Sequence, residues 1–142
     1  MKISIGADHR GFELKTFIKQ QMPEIEWIDE GCFSLDRVDY PVFARSVSDN
    51  VLAGRADFGI LICGSGIGMS MAANRRPGIY AALCWSVQVA RLARFHDNAN
   101  ILVLAADFVS HEKTRSIIKM FITTTFKGGR YKKRLDMLDA GL

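Results

Sequence analysis

Cys63, Ser65 and three glycines on alternate positions, Gly64, Gly66 and Gly68, close an apolar run from Phe58 to Ile62 and are the residues best equipped for chemistry. A thiol with a hydroxyl two positions on offers a nucleophile or base with a proton relay beside it. Glycines remove the Cβ atoms that keep a ligand off the backbone amides. Ile67, Met71 and Ala72 have helical spacing, so these amides lie at a helix N-terminus, where partial positive charge favours anions and thiolates. The competing reading of Cys63 is a small apolar residue at a strand end, the usual fate of a free cysteine. Its setting before a helix and beside Ser65 tilts the balance toward catalysis. A tight turn needs one or two glycines and gives no reason for three, which favours anion or oxyanion binding. The loop is not a dinucleotide fingerprint, because G-x-G-x-x-G needs glycine where Met69 stands, and no G-x-x-x-x-G-K-[ST] run exists.

Other polar groups cluster in short motifs. His9 stands in Asp8-His9-Arg10 and His96 in His96-Asp97-Asn98, both read as loop histidines and each balanced between a structural and a functional role. His111 is expected to be solvated in the first turn of a surface helix. Asp8 either caps the first helix or faces a ligand, and Tyr40 either packs under Pro41 or does the same. Arg130 and Arg134 are four apart, so they share a helical face as a paired clamp that suits a phosphate, or as a solvated basic face. Cys32 and Cys84 lack a comparable setting and are read as packing residues.

These groups need positioning, and the chain supplies alternating strands and helices. Lys2 to Ala7 is a strand, followed by a helix marked by Leu14, Phe17, Ile18 and Met22 and ended by Pro23. Ile25 to Asp29 is the second strand, and a loop through Asp39-Tyr40-Pro41 leads to a helix from Val42 to Leu52, closed by Gly54. Strand three is 57–63, helix three 67–74 and strand four 79–84. Ser86 caps a helix through Ala93 or Arg94, 100–105 is strand five, Ser110 caps the next helix, and a last helix begins near Arg130. The pattern predicts a three-layer α/β domain with a five-stranded parallel sheet flanked by helices. Ligands bind such sheets at the carboxyl ends of the strands, where Asp8, His9, Cys63, Ser65 and Asp107 fall. His96 lies at the other end of helix four, so a neighbouring subunit is needed to bring it in.

At 142 residues the chain has the length of one domain, 1–142, with enough apolar sequence, 49%, to bury a core. The N-terminus turns polar at Asp8 and no apolar run approaches the roughly 20 residues of a membrane span, so no membrane contact and a cytoplasmic location are expected. Three cysteines, an odd number without a C-x-x-C pair, argue against a disulfide framework and a zinc site. Much of the net charge of +4 comes from Lys127, Arg130, Lys132, Lys133 and Arg134. No aromatic-interleaved stripe accompanies them, so an anionic small molecule is expected rather than nucleic acid.

The motifs G-A-D-H at 6–9, D-Y-P at 39–41, I-L-I-C-G-S-G-I-G-M-S at 60–70, A-A-N-R at 72–75, A-N-I-L at 99–102 and G-G-R-Y-K-K-R at 128–134 together resemble the sugar-phosphate isomerases that include ribose-5-phosphate isomerase type B and galactose-6-phosphate isomerase. The resemblance implies a Rossmann-like fold, dimers or tetramers whose active sites draw on two subunits, and no metal or organic cofactor. It implies an aldose–ketose isomerisation through a cis-enediol, most directly between ribose 5-phosphate and ribulose 5-phosphate. By position, Cys63 resembles the base, Ser65 with the amides of Gly64, Gly66, Ile67 and Gly68 the stabiliser of the enediolate, and His96 the ring-opening acid/base. Asp8 and Tyr40 resemble sugar-hydroxyl contacts, and His9, Arg130 and Arg134 phosphate ligands.

Three positions depart from the family pattern. Asp97 stands where many members have an asparagine, so a substrate-facing amide becomes a carboxylate that accepts but does not donate. Asp107 stands where type B isomerases commonly place a phosphate-binding arginine, and a carboxylate there would oppose a phosphate by about 1 to 4 kcal/mol at close range, with Arg10 available to compensate. Tyr131 replaces a frequent histidine and is expected to matter less. The alternatives are another sugar phosphate, such as allose or galactose 6-phosphate, or a non-catalytic sugar-phosphate-binding homologue.

Overall fold

The apolar runs form five strands in the computed structural model, which describes residues 1–141: β1 (Lys2–Ala7), β2 (Glu26–Asp29), β3 (Phe58–Cys63), β4 (Ala81–Leu83) and β5 (Ile101–Ala105). All pair in parallel, in the order β2-β1-β3-β5-β4. Six helices connect or follow them: α1 (Phe12–Gln21), α2 (Tyr40–Leu52), α3 (Ile67–Asn74), α4 (Val87–Asp97), α5 (His111–Thr123) and α6 (Arg130–Asp139). This is the expected three-layer, Rossmann-like fold.

Alternation along the central strands builds two cores. Ile60, Ile62, Leu102 and Leu104 face α1, α4 and α5, where Leu14, Ile18, Ala90, Ile117 and Phe121 are buried. Leu61, Cys63, Ile101 and Val103 face α2 and α3, against Ala44, Val47, Met69 and Ala73. Truncating a side chain as buried as Phe121 to alanine would cost about 3–5 kcal/mol. Cys32 and Cys84 are buried among such residues, as their reading required.

Several element ends differ from expectation, each for a local reason. α2 starts at Tyr40 rather than Val42 because Pro41 takes a first-turn position, where its missing N–H has no partner to lose. β4 is shorter than 79–84, since the Tyr80 amide donates to Asn100 Oδ1 instead of to a strand carbonyl. α4 continues past Arg94 to Asp97, making His96 and Asp97 helical rather than loop residues. It stops at Asn98, which takes the left-handed conformation (φ 47°) while its side chain accepts from Arg94. The Ser86 hydroxyl accepts from the Val89 amide, as a cap should, whereas Ser110 occupies the cap position of α5 without a side-chain bond. His111 is half-buried, with its ring 5.0 Å from that of Phe17, and is not the solvated residue expected.

Candidate active site

The chain leaves β1 toward one sheet edge, where β2 lies, and leaves β3 toward the other, where β4 lies. The loops after these adjacent strands therefore diverge and open a crevice. The Asp8 amide donates to Ile62 O at 3.1 Å and ties the two loops together at its base. Asp8 does not cap α1. Its buried carboxylate accepts through Oδ1 from the amides of Arg10 (2.9 Å) and Gly11 (3.1 Å), an Asx turn that shapes the corner. His9 accepts at Nδ1 from the Val38 amide at 3.3 Å, which leaves Nε2 to carry the proton of the neutral ring as a donor.

Cys63 ends β3 with 5% of its surface exposed, and its Sγ accepts from the Gly66 amide at 3.2 Å. Ser65 Oγ accepts from the Ile67 amide at 3.3 Å. The Ser65 and Gly68 amides have no protein acceptor among the described residues, so they are available to a bound oxygen. The expectation that a turn gives no reason for three glycines is corrected, because each has its own neighbour. Gly66 takes φ +74°, and a Cβ there would lie 2.4 Å from Leu83 Cδ1. A Cβ on Gly68 would lie 2.7 Å from Tyr40 Cζ, so the half-exposed Tyr40 ring sits against the loop rather than merely packing under Pro41. One on Gly64 would lie 2.6 Å from Arg10 Nε and 2.8 Å from Asp107 Oδ2. Two of the three glycines are thus required by polar side chains that close over the loop.

The remaining candidates lie elsewhere. α4 runs antiparallel to the sheet, so His96 in its last turn is about 14 Å along the helix from the end beside the crevice. There the His96 ring stacks on Tyr131, with centroids 4.4 Å apart and planes 11° from parallel. Arg130 donates to the Tyr131 hydroxyl at 3.2 Å, and Arg134 and Lys127 lie 5.7 and 5.8 Å from the same ring. The hydrogen bond from Arg130, aided by the charges of Arg130, Lys127 and Arg134, holds the Tyr131 hydroxyl below its ordinary pKa. Asp97 is exposed beside this cluster. One chain therefore gathers Asp8, His9, Tyr40 and the Cys63–Gly68 loop at one end and His96, Asp97, Arg130 and Arg134 at the other.

Sequence reasoning named Tyr131, Arg10 and Asp107 without their contacts and passed over Lys15. Tyr131, expected to matter less, is the platform of the cationic cluster. Arg10 and Asp107 meet as an ion pair over Gly64. Lys15, 1% exposed, reaches Asp29 at 2.5 Å and the Cys32 carbonyl at 2.7 Å, bracing the loop after β2 against α1. Burial pushes the Asp29 carboxyl up, but hydrogen bonds from Lys15, Lys19 and the Gly31 amide outweigh it and hold the group below its usual value. No spacing marks Lys15, whose neighbours Leu14 and Ile18 carry the apolar stripe. Among the described residues no group of three or more His, Cys, Asp or Glu could hold a metal ion, and no helix is long and apolar enough to cross a membrane.

The parallel α/β sheet ends one central strand in a thiol beside amides that have no protein acceptor among the described residues, and its fold together with its relatives places the chain in the class of the sugar-phosphate aldose–ketose isomerases, which are intramolecular oxidoreductases. The ribose/galactose isomerase family model matches residues 3–138, and the chain belongs to that family. Ribose-5-phosphate isomerase B of Escherichia coli (strain K12) is 39% identical over 141 residues, covering 98% of this chain and 95% of that protein. The crystal structure of a ribose 5-phosphate isomerase from Thermotoga maritima superimposes with a TM-score of 0.96 at 48% identity, covering 98% of this chain and 97% of that one. The Mycoplasma genitalium ribose-5-phosphate isomerase B, solved with bound ribulose-5-phosphate, gives a TM-score of 0.92 at 40% identity, over 99% of this chain and 95% of that one.

Proposed function

We propose that this chain interconverts ribose 5-phosphate and ribulose 5-phosphate through a cis-enediol, with Cys63 as the base. The observation that carries the proposal is the Cys63 sulfur at the end of β3 accepting the Gly66 amide, beside Ser65 and amides with no protein acceptor. The Gly66 amide holds the sulfur at the start of α3. The thiolate takes the proton from C2 of the open aldose, and the resulting enediolate oxygens meet the loop amides and Ser65. Such preorganised donors are worth about 3 kcal/mol each in the transition state. Transfer of the O2 proton to O1 and return of the carbon proton to C1 give the ketose. Asp8 and Tyr40 contact the sugar hydroxyls, and His9, Arg130 and Arg134 hold the phosphate. The relative solved with ribulose-5-phosphate supports the choice of substrate.

The site is completed by a second copy of the chain in a homodimer or homotetramer, in the cytoplasm. His96 opens the sugar ring and arrives with Arg130 and Arg134 from the neighbouring subunit. Support comes from the length of α4 between the two half-sites and from the exposed side chains of Val42, Ile67 and Met71 on the α2–α3 face beside the crevice.

Cys63→Ala is expected to lower kcat at least ~10³-fold on ribose 5-phosphate while the protein stays folded and assembled. Wild-type turnover by that variant would refute the assignment of the base. Mixing inactive Cys63→Ala with inactive His96→Asn and allowing subunits to exchange should restore up to about a quarter of the activity, because half of the sites in mixed dimers are intact. No recovery after demonstrated exchange would remove the shared site.

A further inference from the structure

The ion pair of Arg10 and Asp107 occupies the mouth of the crevice. Arg10 starts from the corner after β1, where its amide is fixed by the Asp8 carboxylate, and Asp107 from the turn after β5, where its amide donates to Gly64 O at 3.0 Å. The side chains reach toward each other from opposite walls and join directly over Gly64. Among the described residues only Arg10 Nη2 and Asp107 Oδ2 form a hydrogen bond, and the Nε and Nη1 donors of the guanidinium have no acceptor there. The side chains are 59% and 37% exposed, and a pair so open to water is weakly held.

We propose that Arg10 binds the substrate's phosphate in this half-site, and that Asp107 is its counter-ion in the free protein, ceding the guanidinium when the phosphate arrives. A phosphate dianion engages a guanidinium through two parallel hydrogen bonds and twice the charge, whereas Asp107 makes one bond. Once displaced, the carboxylate is repelled by the phosphate and has open solvent to turn into. Asp107 thereby determines specificity, because an anion must outcompete it. A singly charged anion is disfavoured, and a phosphate monoester is admitted. The proposal rests on the isomerase reading only for the identity of the substrate.

Calorimetric titration of the folded protein with inorganic phosphate at pH 8 and fixed ionic strength tests this without turnover. Arg10→Gln should weaken phosphate binding about tenfold and Arg10→Lys by less, since the charge is kept and the fork lost. Asp107→Asn should tighten phosphate binding about three- to tenfold and narrow the preference for phosphate over acetate. The Michaelis constant for ribose 5-phosphate should move in the same directions, with kcat within about threefold. Phosphate affinity unchanged in Arg10→Gln, or weakened in Asp107→Asn, would overturn the proposal. If the wild type isomerises ribose 5-phosphate and its phosphate affinity ignores Arg10, this proposal fails and the isomerase reading stands. If it does not isomerise that sugar but the affinities shift as expected, the reverse holds.

Discussion

Replacing Gly66 by alanine tests how the loop is built. Gly66 has φ +74°, and its added Cβ would meet Leu83 Cδ1 at 2.4 Å, well inside contact distance. The left-handed conformation costs an L residue about 1–2 kcal/mol, and forcing a methyl group against a packed leucine about 1–3 kcal/mol. The alanine also restricts the unfolded chain, which offsets about 0.4–1 kcal/mol. The net expectation is a loss of about 2–3 kcal/mol, or a fall of roughly 6–10 °C in melting temperature. Because the Gly66 amide donates to Cys63 Sγ, kcat should fall with it. Leu83→Ala in the Gly66→Ala background removes the collision and leaves the backbone strain. Urea denaturation of the four proteins should therefore give a favourable coupling of about 1–2 kcal/mol. A Gly66→Ala protein within about 0.5 kcal/mol of wild type, or single effects that simply add, would refute the reasoning.

The thiols should separate under iodoacetamide at pH 8. Burial pushes Cys84 up to about 12 and raises Cys32 as well, so mass spectrometry should find Cys63 modified first, and prior labelling of Cys84 would contradict the assignment. Lys15→Ala should lose about 2–4 kcal/mol by leaving a cavity and the Cys32 carbonyl without its donor while Asp29 keeps Lys19 and the Gly31 amide, and Lys15→Met about half as much, read by urea melts. With a folded pKa held below the ordinary carboxylate value, Asp29 contributes stability that is present above about pH 4 and lost as pH falls through the lower folded value. The stability of wild type should drop over that acid window more steeply than that of Asp29→Asn, and equal slopes would reject the buried pair.

The fold was legible because burial dictates it. β3 and β5 are covered on both faces and must be continuous apolar runs, and their alternation with amphipathic helices leaves a parallel sheet as the economical arrangement. Even the distance of His96 from Cys63 follows from the direction of α4. Element ends were less legible because single hydrogen bonds decide them. Asn98 lets α4 overrun Arg94, and Asn100 takes the amide that would have extended β4. Lys15 and Asp29 come from different elements, and nothing in a periodic pattern announces a buried ion pair. The glycine loop was singled out by its spacing, but one cause was assigned to three residues that have three neighbours.

Tyr131 shows why a substitution judged from sequence as minor can organise a cluster. Arg130, Arg134 and Lys127 all lie within 6 Å of its ring, an arrangement that three cations would not adopt unaided. The π face attracts each of them, and the hydroxyl accepts from Arg130. An imidazole at this position would offer a smaller ring and, once protonated, a fourth positive charge. The phenol, its pKa lowered by the hydrogen bond from Arg130 and by the neighbouring cations, adds no positive charge where a protonated histidine would. His96 stacks on the same ring and shares its order. The cations are therefore gathered around one ring by contacts within the chain itself. The two ends of the chain are preorganised by different means: Cys63 and Ser65 by backbone amides and glycines, His96 and Arg130 by the face and hydroxyl of one aromatic ring.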